Sequence, residues 1–130
     1  VLRSLNTNAA GGFLVAQQAA RVMVPRGRGA LFFTGATASI KGFARSAAFA
    51  MGKFALRGLA QSAARELAPH GIHVAHFLID GAVRSAAHPQ GADDSALDPR
   101  AIARTYLAVL AQPRSAWSFE VDLRAWTEPF

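Results

Sequence analysis

Ile72-His73-Val74-Ala75-His76-Phe77-Leu78-Ile79-Asp80-Gly81 is the stretch on which the reading of the fold turns. Ile72 to Ile79 reads as a strand, with Val74, Phe77, Leu78 and Ile79 supplying most of its apolar surface, and Asp80-Gly81 ends it with turn chemistry. Just upstream, Pro69, His70 and Gly71 close a helix predicted from about Arg45 to Leu67, rich in alanine and leucine. At roughly 3.6 residues per turn that helix has about six turns. Before it, Ala30-Leu31-Phe32-Phe33 is short, continuously apolar and bounded by glycines, the pattern of a strand buried on both faces, and it ends at Thr34-Gly35. Two buried strands joined by a crossover helix form a βαβ unit, which demands parallel pairing and a right-handed connection.

The same pattern extends to both sides. Phe13, Leu14, Ala16, Ala20 and Met23 fall at helical spacing and predict a first helix from Ala9 to Val24, stopped by Pro25, Gly27 and Gly29. Downstream, Ala86 to Pro99 is a polar, proline-bearing loop longer than most connections, open equally to a plain connection or a functional flap. A third helix is predicted from Pro99 to Leu110, with proline at its start, and Trp117 to Leu123 alternates like a final strand. Three strands and three main helices in this order predict an α/β fold with a doubly wound parallel sheet.

With 130 residues, 52% of them apolar, the chain has the size of one domain or part of one. The absence of cysteine excludes disulfides, thiolate nucleophiles and Cys-based zinc sites, and no metal site is expected. The net charge of +6 comes from twelve arginines and only two lysines, Lys41 and Lys53, spread singly along the chain. The densest basic stretch, Arg26-Gly27-Arg28-Gly29, reads as a solvated turn, so no nucleic-acid partner is expected. No uninterrupted apolar run reaches the roughly 18 residues of a membrane span, and no signal peptide is expected from the first residues given. The expectation is a soluble, cytoplasmic protein with no membrane partner.

In open parallel sheets ligands bind beyond the carboxyl ends of the strands, where loops converge and helix N-termini point partial positive charge. Here those ends are Thr34 to Ser39 and Asp80 to Ser85, with Lys53 as the conspicuous polar group able to reach the same edge.

Four segments, in this order and spacing, resemble the short-chain dehydrogenases/reductases across nearly the whole chain. Asn8-Ala9-Ala10-Gly11-Gly12-Phe13 resembles the segment in which an Asn opens the helix before the central strand. Phe49-Ala50-Met51-Gly52-Lys53 resembles the Tyr-x-x-x-Lys pair on the next helix. Leu67-Ala68-Pro69-His70-Gly71-Ile72-His73-Val74 resembles the lead into the following strand, and Ile79-Asp80-Gly81-Ala82-Val83-Arg84-Ser85 the family's Pro-Gly turn. The resemblance implies a hydride-transferring oxidoreductase acting on a small carbonyl or alcohol with NAD or NADP. It makes Asn8 and Lys53 catalytic residues and Asn8, Lys53, Gly81, Val83 and Ser85 the cofactor-binding set.

The departures carry as much information. The Tyr position holds Phe49, and the family's usual spacing puts the Ser position at Ala36. In the family, as the resemblance implies, the Tyr phenol exchanges the substrate proton, the Ser hydroxyl orients the carbonyl, and the Lys lowers the Tyr pKa and holds the nicotinamide ribose. Phe49 has no proton to exchange, and loss of a general acid typically costs about 10²- to 10⁴-fold. Three substitutes are open: a hydroxyl of Thr34, Thr37 or Ser39 to orient the carbonyl; His73 or His76, expected instead as packed or edge histidines; and Asp80, either a base or, as favoured, a cap bonding its own backbone.

The family's glycine-rich dinucleotide turn is also missing. Gly11-Gly12 lies in a helical pattern, and Gly27 and Gly29 precede a strand instead of following one. The expectation is therefore a single partial Rossmann-like domain over residues 1 to 130, lacking the first half with its adenine-binding turn. It would self-associate through the long helices that such truncation and the family's habits expose. Two functions follow, an NAD(P)-dependent oxidoreductase impaired or inactive as this chain, or a non-catalytic binding or dimerisation module on the same fold. Substrate choice falls to the variable loop from Ala86 to Asp98.

Overall fold

The computed structural model describes residues 1–86 and 95–129. It contains three parallel strands in the order β1-β2-β3, namely β1 (Gly29–Ala36), β2 (Ile72–Ile79) and β3 (Glu120–Leu123). Helices α2 (Gly11–Arg26) and α3 (Ala47–Leu67) cover one face and α4 (Pro99–Leu110) the other; a short helix α1 (Leu2–Leu5) precedes them.

All eight residues of β2 are buried, which explains why the stretch carries almost no polar side chains beyond its two histidines. Ile72 and Val74 pack with Phe33 of β1 against Ala16 of α2 and Leu56, Ala60 and Ala63 of α3. Ala75, Phe77 and Ile79, pointing the other way, pack with Leu97 and Val109. Strand side chains alternate between faces, so a strand with helices above and below must be apolar at both odd and even positions. Alanines at 50, 60 and 63 on the buried stripe let α3 lie close to the sheet.

The βαβ unit is as read from the sequence, and β2, α4 and the end of α3 fall where predicted. Other boundaries differ for physical reasons. The first helix begins at Leu2, not Ala9, and passes through a π-helical turn at Asn6–Ala10. It also continues through Pro25, which forgoes the bond to the Arg21 carbonyl only one residue before the helix ends, and stops at Gly27 in the left-handed conformation (φ 65°). The long helix starts at Ala47, two residues after the expected Arg45. Strand β1 extends to Gly29 and Ala36 because its register with the eight residues of β2 runs unbroken from Gly29↔Ile72 to Ala36↔Ile79. The last strand is only Glu120–Leu123; upstream, Arg114–Ala116 forms a 3-10 turn, and Trp117 stacks on His73 with ring centroids 4.6 Å apart. Most of the loop expected over Ala86 to Pro99, and so most of the expected substrate-recognition segment, lies outside the described residues. Among the described residues no helix is long and apolar enough to cross a membrane.

Candidate active site

The carboxyl ends of β1 and β2 lie side by side, Ala36 opposite Ile79, so the segments after them open on one rim. The N-terminal half of α3 leans over that rim. Residues four apart on a helix share a face, and the Lys53 Nζ stands 5.9 Å from the centroid of the Phe49 ring. The same amine donates to the Thr34 carbonyl oxygen at 3.2 Å, two residues before Ala36. Burial holds its pKa below the ordinary lysine value. Phe49 is 49% exposed, so its ring edges the opening instead of filling core.

Asn8 reaches α3 from the first helical segment. It sits within the π turn, and its side-chain amide donates to the Ser4 carbonyl at 3.1 Å. The approach is close because position 52 has no side chain: a Cβ on Gly52 would meet the Asn8 amide nitrogen at 2.9 Å and would also run into the Ser4 hydroxyl. Asn8 is thus adjacent to α3 one residue from Lys53, but in the middle of a continuous helical segment and not at its opening.

Beyond β2, Val83 forms an isolated parallel bridge with Leu97, made by Arg84 N–H to Leu97 C=O and Leu97 N–H to Ala82 C=O, each 2.8 Å. That bridge uses the peptide groups of its neighbours and turns Val83's own N–H and C=O the opposite way. Gly81 adopts φ 138°, a conformation that glycine reaches without strain. Ser85 lies exposed two residues past Val83.

The three hydroxyls around Ala36 all have partners. Thr34 Oγ1 pairs with the Tyr106 hydroxyl at 2.6 Å, Thr37 Oγ1 donates to Asp80 Oδ1 at 2.6 Å, and the buried Ser39 Oγ accepts from the Ala36 N–H at 3.1 Å. Asp80 corrects the expectation of a self-capping turn. Its carboxylate, 3% exposed, takes the Thr37 hydrogen bond and pairs with Arg124 at 3.3 Å, so it ties the ends of β1 and β2 to the segment after β3. The Thr37 hydrogen bond and, after it, Arg124 hold its pKa below the ordinary carboxylate value against the opposing pull of burial.

That depression predicts a pH signature. A carboxylate stabilised in the folded state contributes stability that is complete above its unfolded pKa of about 3.9 and is lost as pH falls through the lower folded value. Asp80→Asn should therefore lower the melting temperature at pH 7, and the gap to the parent should narrow as pH drops below about 4. Thermal melts between pH 7 and pH 3 check this; a gap independent of pH would assign the loss to packing instead of charge.

Both strand histidines are buried, as expected. His73, 4% exposed, pairs through Nε2 with the Ser118 carbonyl at 2.7 Å. His76 is fully buried on the α3 side, its Nε2 against the bare Gly35 and its Nδ1 3.4 Å from Glu120 Oε2. Burial lowers its pKa despite the carboxylate, which keeps the ring neutral at neutral pH. Glu120 is held in turn by two hydrogen bonds from Arg57, at 2.8 and 3.0 Å. Sequence reading misses this Arg57–Glu120–His76 group and the Thr37–Asp80–Arg124 group, since nothing local links residues 43 to 63 positions apart.

The family profile for short chain dehydrogenase matches residues 1–94. Momilactone A synthase of Oryza sativa subsp. japonica is 38% identical over 97 residues, which cover 74% of this chain and 35% of that protein. Among solved structures, a short-chain dehydrogenase from Rhodopseudomonas palustris superposes with a TM-score of 0.81 at 41% identity, covering 95% of this chain and 51% of that one. A metagenomic short-chain oxidoreductase in complex with NADP shares the fold, with a TM-score of 0.73 at 24% identity over 93% of this chain and 49% of its own. The chain thus spans about a third of that curated relative and about half of these two solved structures.

Proposed function

The chain belongs to the short-chain dehydrogenase family, and from that premise we propose that its rim is the nicotinamide end of an NAD(P)-dependent oxidoreductase site for a small carbonyl or alcohol. The observation that carries the reading is Lys53, held at the carboxyl end of β1 with Phe49 on the same helical face. The donor set suits a nicotinamide riboside. The Lys53 ammonium has three N–H groups, of which the Thr34 carbonyl engages one, leaving donors for ribose hydroxyls. Val83 offers an N–H and a C=O side by side, the complement of a carboxamide; Gly81 shapes the turn that presents them, and Ser85 stands next in line. Asn8 flanks Lys53 across Gly52. When bound, the cofactor supplies or accepts the hydride.

This reading makes residues 1–130 one partial doubly wound domain, with the glycine-rich pyrophosphate turn not among them. With Phe49 and Ala36 at the proton-handling positions, turnover is slow, and NAD or NADP binding is the retained property. The alternative, a non-catalytic binding or dimerisation module, gains support from the apolar surface on the two long helices. Phe13, Leu14 and Val15 of α2 and Met51 and Phe54 of α3 are 44 to 67% exposed, a surface suited to a second copy of the chain.

Titration of the protein with NADH and NADPH, followed by nucleotide fluorescence and by calorimetry, tests the reading. Saturable binding of either that weakens at least tenfold in Lys53→Met is expected. No binding of either nucleotide would leave the dimerisation module.

A further inference from the structure

With no exchangeable proton on the Phe49 and Ala36 side chains, the carbonyl oxygen takes its proton from another rim group or from solvent, and a positioned side-chain acid is the faster source. Among the described residues nearly every protic side chain near Ala36 is already committed. Thr37 spends its proton on Asp80. Asp80 is buried, paired with Arg124 and ionised. Ser39 is fully buried behind Ala36. Tyr106, the only tyrosine of the chain, meets Thr34 from the α4 face, stacked on Phe77. His76 is neutral and enclosed, and Arg57 is locked to Glu120, which raises its pKa. Of the two lysines, Lys41 lies exposed after β1, near enough to Asp80 to lower its pKa, whereas the Lys53 amine is held at the rim by the Thr34 carbonyl.

We propose that the Lys53 ammonium is itself the proton donor to the substrate carbonyl in this chain, and the proton acceptor in the reverse direction. The inference rests on the oxidoreductase reading and assigns it a catalytic residue. The geometry suits it: Nζ is anchored by one N–H on the Thr34 carbonyl, two residues from Ala36 and 5.9 Å from the Phe49 ring centroid, with two N–H groups remaining. The step balances. Hydride from the reduced nicotinamide forms the new C–H bond, the carbonyl π pair takes an Nζ proton to form the O–H bond, and the neutral amine regains its proton from solvent. The carbonyl is reduced to an alcohol and the dihydronicotinamide is oxidised. An ammonium is too weak an acid at its ordinary pKa to be efficient near neutrality, and burial moves Lys53 in the useful direction. Burial is what shifts its titration; of the groups packed near it, His76 of β2 feels the ammonium in its own pKa, Arg57 lies one turn on along α3 paired with Glu120 of β3, and Asn8, from the first helical segment, adds no charge.

The experiment follows reduction of 4-nitrobenzaldehyde and cyclohexanone by NADPH and NADH, at saturating cofactor, as a function of pH. The parent rate should fall as pH rises through the amine's pKa, and NMR titration of the Lys53 side chain should place that pKa below the ordinary 10.5. Lys53→Ala should lose about 100-fold or more in kcat and lose the alkaline limb. Added alkylammonium ions should restore part of the rate in proportion to their acidity. Lys53→Arg should not restore it, because a guanidinium stays protonated across the accessible pH range and gives up no proton. Matching thermal melts show that both variants fold. Wild-type rate in Lys53→Arg, rescue that ignores amine acidity, or an amine titrating at the ordinary value overturns the proposal. Cofactor binding without turnover of either probe also overturns it and leaves the cofactor reading intact; absence of binding removes both.

Discussion

Carbonyl reduction should rise by about 10²- to 10⁴-fold when Phe49→Tyr and Ala36→Ser are combined. The double variant places a phenol on the helical face of Lys53 and a hydroxyl at the end of β1. The neighbouring ammonium, whose Nζ already lies 5.9 Å from the ring centroid, stabilises a phenolate and so brings the phenol's pKa toward neutrality. The exchange costs little in stability, since Phe49 is about half exposed and its new hydroxyl enters water and not core. Phe49→Tyr alone should give most of the gain, because it adds the acid, whereas Ala36→Ser adds orientation. Initial rates with a panel of aldehydes and ketones, at saturating NADPH and NADH, measure the effect. A double variant that binds nucleotide yet shows no gain on any of them would mean that positions 36 and 49 do not face the reacting oxygen.

The largest loss of stability is expected at the centre of the sheet. Phe77 is fully buried, stacks on Tyr106 with centroids 3.7 Å apart and meets the edge of Phe32 at 5.1 Å. Phe77→Ala should cost about 3–5 kcal/mol, from lost transfer energy and from the cavity left between β2 and α4. Against a typical total of about 5–15 kcal/mol, that is enough to unfold a substantial fraction of the chain at 37 °C. Urea denaturation at 25 °C reads the change, and Phe77→Leu, which refills most of the space, should recover much of it. A loss below about 1 kcal/mol would show that α4 collapses onto the sheet without strain.

The two effects live on different links of the chain from sequence to function. Phe77 lies on the half of the β2 alternation that points to α4, and its cost follows from burial alone. Positions 36 and 49 contribute little to packing, and their effect follows from which atoms they lack. Lys53 joins the two levels: the Thr34 carbonyl anchors its Nζ, and partial burial of the amine lowers its pKa.

Much of this was legible in the residues themselves. The apolar run at Ile72–Ile79, the helical spacing with Pro69 and Gly71 at its end, and the glycine-bounded run before it fixed parallel pairing and two covering layers, because burial periodicity and turn chemistry are local properties. The resemblance of four short segments placed Phe49, Lys53 and Val83 in sequence order along one edge. What the residues did not reveal is who meets whom across that edge. Asp80 was expected to bond its own backbone and instead holds Thr37 and Arg124, each more than 40 positions away. Trp117, expected as strand, left the sheet to stack on His73, and Asn8, expected at a helix opening, lies inside a π turn against Gly52. These outcomes depend on which side chains the folded sheet and helices bring within hydrogen-bonding or packing distance. A partner far along the chain leaves no trace in the local pattern, so only the tertiary structure decides it.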